Sequence, residues 1–104
     1  MKNPRRGEVW QVDLGIAAKI RPCLVMNIEL EDVDRALFTC VPHTSQIHGT
    51  RFEITIPTRF LKEGAFDVQQ TFAVACGKFL RKLGELTGDQ MKLVEDRLRF
   101  WLNL

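Results

Sequence analysis

Most of the chain consists of short apolar runs interleaved with polar positions, and only the last stretch switches to a helical period. In residues 7–14 (GEVWQVDL), polar Glu8, Gln11 and Asp13 are set among Val9, Trp10, Val12 and Leu14. That imperfect alternation predicts a bulged or strongly curved strand. Residues 23–27 are a short apolar run, suited to a strand buried on both faces. Residues 35–41 (RALFTCV) predict a third strand, whose pairing Pro42 should end. Residues 51–56 (RFEITI) alternate cleanly, with Phe52, Ile54 and Ile56 on one face, and Pro57 stops them. Residues 66–76 (FDVQQTFAVAC) predict a fifth strand closed by Gly77, and residues 77–83 one more short helical turn. Thr87, with Gln90 three residues later, is a capping-box signature, and Asp89 suits the positive end of a helix. Met91, Val94, Leu98, Trp101 and Leu102 then recur at helical spacing, opposite Lys92, Glu95, Asp96 and Arg99. The pattern predicts an amphipathic helix of about four turns, with Phe100, Trp101 and Leu102 on its buried side.

Several short strands separated by turn signals, then one helix, predict a mainly β domain: a small barrel or half-barrel closed by a C-terminal α-helix. With 104 residues and no repeat or linker, residues 1–104 read as a single domain. A core this small gives self-association a purpose, since a second copy hides more apolar surface. Lys+Arg 15 against Asp+Glu 13 gives a net charge of +2, so an anionic partner would need positive charge gathered locally. Cys23, Cys40 and Cys76 are odd in number and none has C-x-x-C spacing. Neither a disulfide framework nor a zinc site is suggested, and thiols in apolar stretches serve as small core residues. No metal and no cofactor is expected. The opening MKNPRRGEVW has no apolar signal core, and no apolar run reaches membrane-spanning length. The expected location is the reducing cytoplasm, with no membrane partner.

The common enzyme signatures are absent: no phosphate-cradling glycine loop, no G-x-S-x-G elbow, no H-E-x-x-H. Polar chemistry gathers at strand ends instead. Arg21 stands before Pro22 at the start of the second strand, and Thr44, Ser45 and Gln46 follow the third. Sequential strands joined by a short connection pair antiparallel, which would bring Arg21 and Thr44 to one rim. A guanidinium fork and a hydroxyl together suit a phosphodiester. Arginine can neutralise charge building on a pentacoordinate phosphorus while the hydroxyl donates to a nonbridging oxygen. No metal is required when the nucleophile is the substrate's own 2′-hydroxyl. The plainer readings are an arginine stem covering a sheet end and a threonine capping its own turn. His43 and His48 read either as acid–base groups or as solvated loop histidines, with His43 facing away from Thr44 on an extended chain. Lys19 is the nearest extra positive charge to Arg21 and could meet the same phosphate, and Arg5 and Arg6 form a small basic start. Trp10 is either core or an interface aromatic.

The segments RRGEVWQVDLG, RPCLVMN, VPHTS and LGELTGDQM resemble the MazF/PemK family of toxin endoribonucleases, through almost the whole chain. The resemblance implies an SH3-like barrel with added helices, and a homodimer. It also implies a cognate antitoxin whose acidic C-terminal tail plugs the RNA site. The implied activity is metal-independent, sequence-specific cleavage of single-stranded RNA, leaving a 2′,3′-cyclic phosphate and a 5′-hydroxyl. On the matching dipeptide R-P, the family's catalytic arginine falls on Arg21. Its P-x-T-S threonine falls on Thr44, with Ser45 following. Gln70 stands for the Gln of the family's D-Q-I-R stretch. With Lys19 and His48, Ser45 and Gln70 make up the expected RNA-binding set.

The chain departs from the pattern in three places. Leu14 and Arg21 are joined only by GIAAKI, which is shorter than usual and carries no acid. Phe72 stands where the family has the arginine of D-Q-I-R, exchanging a phosphate contact for a face on which a base can stack. His43 replaces an aliphatic. The competing readings are a CcdB-like toxin on the same scaffold, acting by protein contact through the apolar RFWLNL end, and an inactive relative that retains only antitoxin binding.

Overall fold

The computed structural model describes residues 3–15 and 19–104. Strand β1 (Glu8–Asp13) pairs antiparallel with β2 (Ile20–Val25), and β2 with β3 (Leu37–Thr44). On its far edge β3 pairs with β6 (Phe72–Ala75) along its first half and with β5 (Ala65–Asp67) at its end. The short β4 (Glu53–Ile54) lies on β5, and β7 (Phe79–Glu85) on β1. The result is one seven-stranded antiparallel sheet in the order β4-β5-β3-β2-β1-β7, with β6 beside β3. The sheet is open, since among the described residues its end strands β4 and β7 do not pair with each other.

The centre of the sheet is buried on both faces. Val9, Leu24 and Val41 join Phe66, Val68, Met91 and Val94 in one cluster, under helix α1 (Gly88–Leu102). Trp10, Val12, Cys23, Val25, Phe38, Cys40 and Phe79 form the other. Val9 and Trp10 are therefore both core, on opposite faces, as the uneven pattern of β1 demands. The predicted irregularity is real: the β1–β7 register shifts between Val9 and Trp10 and again between Gln11 and Val12. Cys23 and Cys40 are fully buried, and that burial pushes both thiols up, out of the reactive range.

The strand expected over 51–56 shortens to the two residues Glu53–Ile54, with Arg51 and Phe52 in a turn, and four further expectations are corrected. Pro42 does not end β3, which runs on to Thr44 with Pro42 opposite Cys23. Proline sits where the far edge of β3 changes partner, after Cys40↔Phe72 and before His43↔Phe66, so the ladder there is already interrupted. The single strand over 66–76 is two strands separated by a 3-10 turn, Val68–Gln70. Asp67 caps that turn by accepting the Gln69 amide, and the Thr71 hydroxyl donates to the Val68 carbonyl at 2.6 Å. These local side-chain bonds outcompete a continuous ladder. The helical turn over 77–83 is a 3-10 segment at Cys76–Lys78, and the rest becomes β7, because β1 offers a free edge and Phe79 a buried place beside Trp10 and Phe38.

The fourth correction concerns the end of α1. Its cap is as read: Thr87 accepts the Gln90 amide, and the Gln90 side chain accepts the Thr87 amide. Met91 and Val94 are buried and Leu98 packs against them, but Phe100, Trp101 and Leu102 remain 51%, 41% and 51% exposed. In the last turn Phe100 and Trp101 pack on the Phe52 ring, and the Arg51 guanidinium lies over Phe100 and Phe52. Arg6 is committed to this helix, with its guanidinium bonded to Glu95 and the Met26 carbonyl. Removing the cap should loosen the packing of α1. Thr87→Ala is expected to lower the unfolding free energy by about 1 kcal/mol, read from urea denaturation.

Candidate functional site

Continuing the β2–β3 register two residues beyond Cys23↔Pro42 sets Arg21 opposite Thr44, so the rim anticipated from the strand order exists. Between them lies a notch of about 110 Å³, lined also by Pro42, His43, Gln46, His48, Asp67 and Gln70. Arg21 is exposed. Among the described residues the salt bridges use Arg5, Arg6, Lys82 and Lys92, and Arg21 enters none of them. The same arginine lines two larger cavities. One, of about 540 Å³, runs past Gln70 and Phe72 to Lys78. The other, of about 340 Å³, carries Lys62 and Arg81 and no acidic residue.

Thr44 is half-buried, and its hydroxyl serves its own turn by accepting the Gln46 amide at 3.1 Å. Its proton reaches the Gln46 carbonyl only at 3.4 Å, a long contact that a better acceptor can displace. Close approach holds Thr44 in place. A Cβ at Gly64 would lie 2.2 Å from the Thr44 carbonyl oxygen and 2.7 Å from His43 Cε1, so only glycine lets the chain pass. His43 is not a solvated loop residue: it is 5% exposed, with its ring 5.0 Å from that of Phe66. Burial lowers its pKa, because a charged imidazole would lose its hydration there. His48 is exposed on a loop braced by Glu53, which accepts the His48 and Thr50 amides and is held below the usual carboxylate value by them.

The structure brings Arg21, Thr44, His48 and Gln70 to the notch. Ser45 turns to the Lys62–Arg81 cavity. Lys19 closes the β1–β2 connection at φ 61°, its amide bonded to the Gly15 carbonyl, and lines none of the three cavities. The sequence reading missed Asp67, which is 8% exposed and holds the Gln69 amide at 3.0 Å and the Gln70 side-chain nitrogen at 2.9 Å. The signal was an acid inside an apolar stretch, two residues before a pair of glutamines. Among the described residues, no group of three or more His, Cys, Asp or Glu is placed to share a metal ion.

A family model for PemK-like, MazF-like toxins of type II toxin–antitoxin systems matches residues 5–102. The chain belongs to this family. The MazF-like fold agrees. A chain of the MazE–MazF crystal structure from Deinococcus radiodurans superposes with a TM-score of 0.84 at 21% identity, covering 100% of this chain and 99% of that one. An endoribonuclease in complex with its cognate antitoxin from a mycobacterial species gives 0.81 at 22%, covering 100% and 97%. The Mycobacterium tuberculosis toxin MazF-mt6 gives 0.79 at 18%, covering 93% and 97%. In this family member the arginine of R-P-C-L-V is the one residue shared by all three cavities described above.

The buried imidazole gives a pH signature. The folded pKa of His43 lies below its ordinary 6.5, so below that pH the unfolded chain binds a proton that the folded chain refuses. Stability is expected to fall as pH drops from 6.5 toward the folded value. The lowered Glu53 acts separately, only below its ordinary 4.5. Urea midpoints across this range should show the upper slope in the wild type and its loss in His43→Gln; an identical slope in both would contradict the assignment.

Proposed function

We propose that the chain, a single toxin domain over residues 1–104, is a metal-independent, sequence-specific endoribonuclease acting on single-stranded RNA. The observation that carries this reading is the position of Arg21: a guanidinium outside the salt bridges of the described residues, opposite Thr44, where three cavities meet. A scissile phosphate at that point has room for chain on either side. The substrate's 2′-oxygen attacks the adjacent phosphorus and the bond to the 5′-oxygen breaks, leaving a 2′,3′-cyclic phosphate and a 5′-hydroxyl. The 2′-hydroxyl proton passes to an acceptor in the notch, and a proton is delivered to the departing oxygen. Arg21 neutralises the charge on the phosphorane, and Thr44 orients the phosphate through its hydroxyl. Gln70, His48 and Ser45 line the path of the RNA, and Lys19 adds charge beside it.

We assign it a cognate antitoxin, in keeping with the neighbours solved with theirs. Arg21, Lys62 and Arg81, in a cavity without an acid, suit that partner's acidic C-terminal tail. We read the toxin as a homodimer, whose second copy covers apolar surface left open on one chain. No described helix is long and apolar enough to cross a membrane, and we place the toxin in the cytoplasm with its RNA. A CcdB-like reading would rest instead on the exposed Phe100, Trp101 and Leu102.

The test is digestion of a pool of single-stranded RNAs in EDTA, with product ends identified by mass spectrometry. The wild type should cut and leave cyclic phosphate ends. Arg21→Ala should lower the rate by a factor on the order of 100 or more while remaining folded. A folded wild type that cuts nothing would favour the protein-binding reading; loss of cutting in EDTA would remove the metal-free mechanism.

A further inference from the structure

The 540 Å³ groove beside Arg21 is of the size that takes small molecules, roughly 300–1,000 Å³. Its floor is β6. Phe72 packs one side against the second core cluster and stays partly open to the groove. Ala73 and Ala75, which alternate to the other face of the strand, are small and exposed and also line the groove. At one end is Gln70. Its amide is oriented by chemistry rather than by chance: the Asp67 carboxylate accepts and cannot donate, so it takes the NH2 side, at 2.9 Å. Among the described residues' hydrogen bonds, the Gln70 carbonyl oxygen and second N–H are left for another partner. Asp67 is itself nine-tenths buried and fixed by the Gln69 amide. Arg21 and Lys78 add two cations outside the described salt bridges. The lone acid of the lining, Asp13, is occupied by the Gly15 amide at 2.9 Å.

A partly open aromatic ring, an oriented amide edge and a net positive wall describe one class of ligand, an unpaired nucleobase on its sugar–phosphate strand. We propose that this groove is a nucleobase subsite for the nucleotide flanking the phosphate at Arg21. The base stacks on Phe72, its edge meets Gln70, and Asp67 is the positioning residue that holds the Gln70 amide in register. The proposal rests on the ribonuclease reading for its substrate and goes beyond it by naming what selects the sequence.

The experiment is a cycle between protein and RNA. Once the preferred cut site is known, cleavage is measured on that RNA and on copies with an abasic sugar immediately before or after the cut. Phe72→Ala should lose on the order of 10- to 100-fold in kcat/KM on intact RNA. One abasic RNA should cost the wild type a similar factor, and the two losses should not multiply when combined. Phe72→Leu, which keeps the packing, should behave as Phe72→Ala and report that folding is not the cause. Gln70→Ala and Asp67→Asn should both relax base preference at that one position. Unchanged cleavage in Phe72→Ala, or losses that multiply, would overturn the subsite while leaving the ribonuclease intact. The same cycle read as Kd on uncleavable 2′-O-methyl RNA tests the subsite even if no RNA is cut; binding indifferent to Phe72, or no binding, would also overturn it.

Discussion

Strand β2 is locked to β3 with Cys23 opposite Pro42, Leu24 opposite Val41 and Val25 opposite Cys40, and the lock is hydrophobic on both faces. Leu24 and Val41 enter the cluster under α1; Cys23, Val25 and Cys40 enter the other. Because side chains alternate with period two, a slip of one residue would send each set to the wrong cluster. The register is therefore fixed by burial at the centre of the sheet, and its consequence appears at the rim. Arg21 and Thr44 have no strong bond to each other that would bring them together. They meet because three buried pairs further along leave them no alternative.

That arrangement separates stability from chemistry. The core holds the strands, and the polar groups at their ends remain uncommitted: Arg21 outside the salt bridges, Thr44 with one weak outgoing contact. Asp67 links the two roles, capping the 3-10 turn that splits β5 from β6 while orienting Gln70. The local charge is also arranged rather than abundant. A chain of net charge +2 places Arg21, Lys62 and Arg81 around one cavity with no acid among them. The cavity thus presents a positive surface of the kind that suits an anionic strand or tail, even though the whole chain is nearly neutral.

Much of this was legible in the residues. The shared buried face of Phe52, Ile54 and Ile56, although only Glu53–Ile54 is strand, the two-faced apolar run at 23–27, whose strand ends at Val25, and the Thr87–Gln90 box each carry a local period or cap that the fold uses. The convergence of Arg21 and Thr44 was readable because it needs only strand order and direction. What escaped was decided by tertiary partners. The segment FLRKLGE can be written as a helix or a strand, and the free edge of β1 settles it. Asp67 looks like one polar position in a strand until its side chain captures the Gln69 amide. The apolar RFWL run fits the helical stripe, but the sheet beneath it ends before it does. Periodicity reports which side chains share a face and says nothing of how far the opposing surface extends.

The role proposed for Arg21 turns on where an RNA phosphate would bind. The direct measurement is a crystal structure of the toxin with an RNA carrying a single 2′-deoxy nucleotide at its preferred cut site, which removes the attacking hydroxyl and leaves the strand otherwise intact. The account predicts the phosphate of that nucleotide within hydrogen-bonding distance of the Arg21 guanidinium and the Thr44 hydroxyl, with the strand leaving through the cavities on either side. An RNA bound with that phosphate away from Arg21, or along the exposed aromatic end of α1, would contradict it.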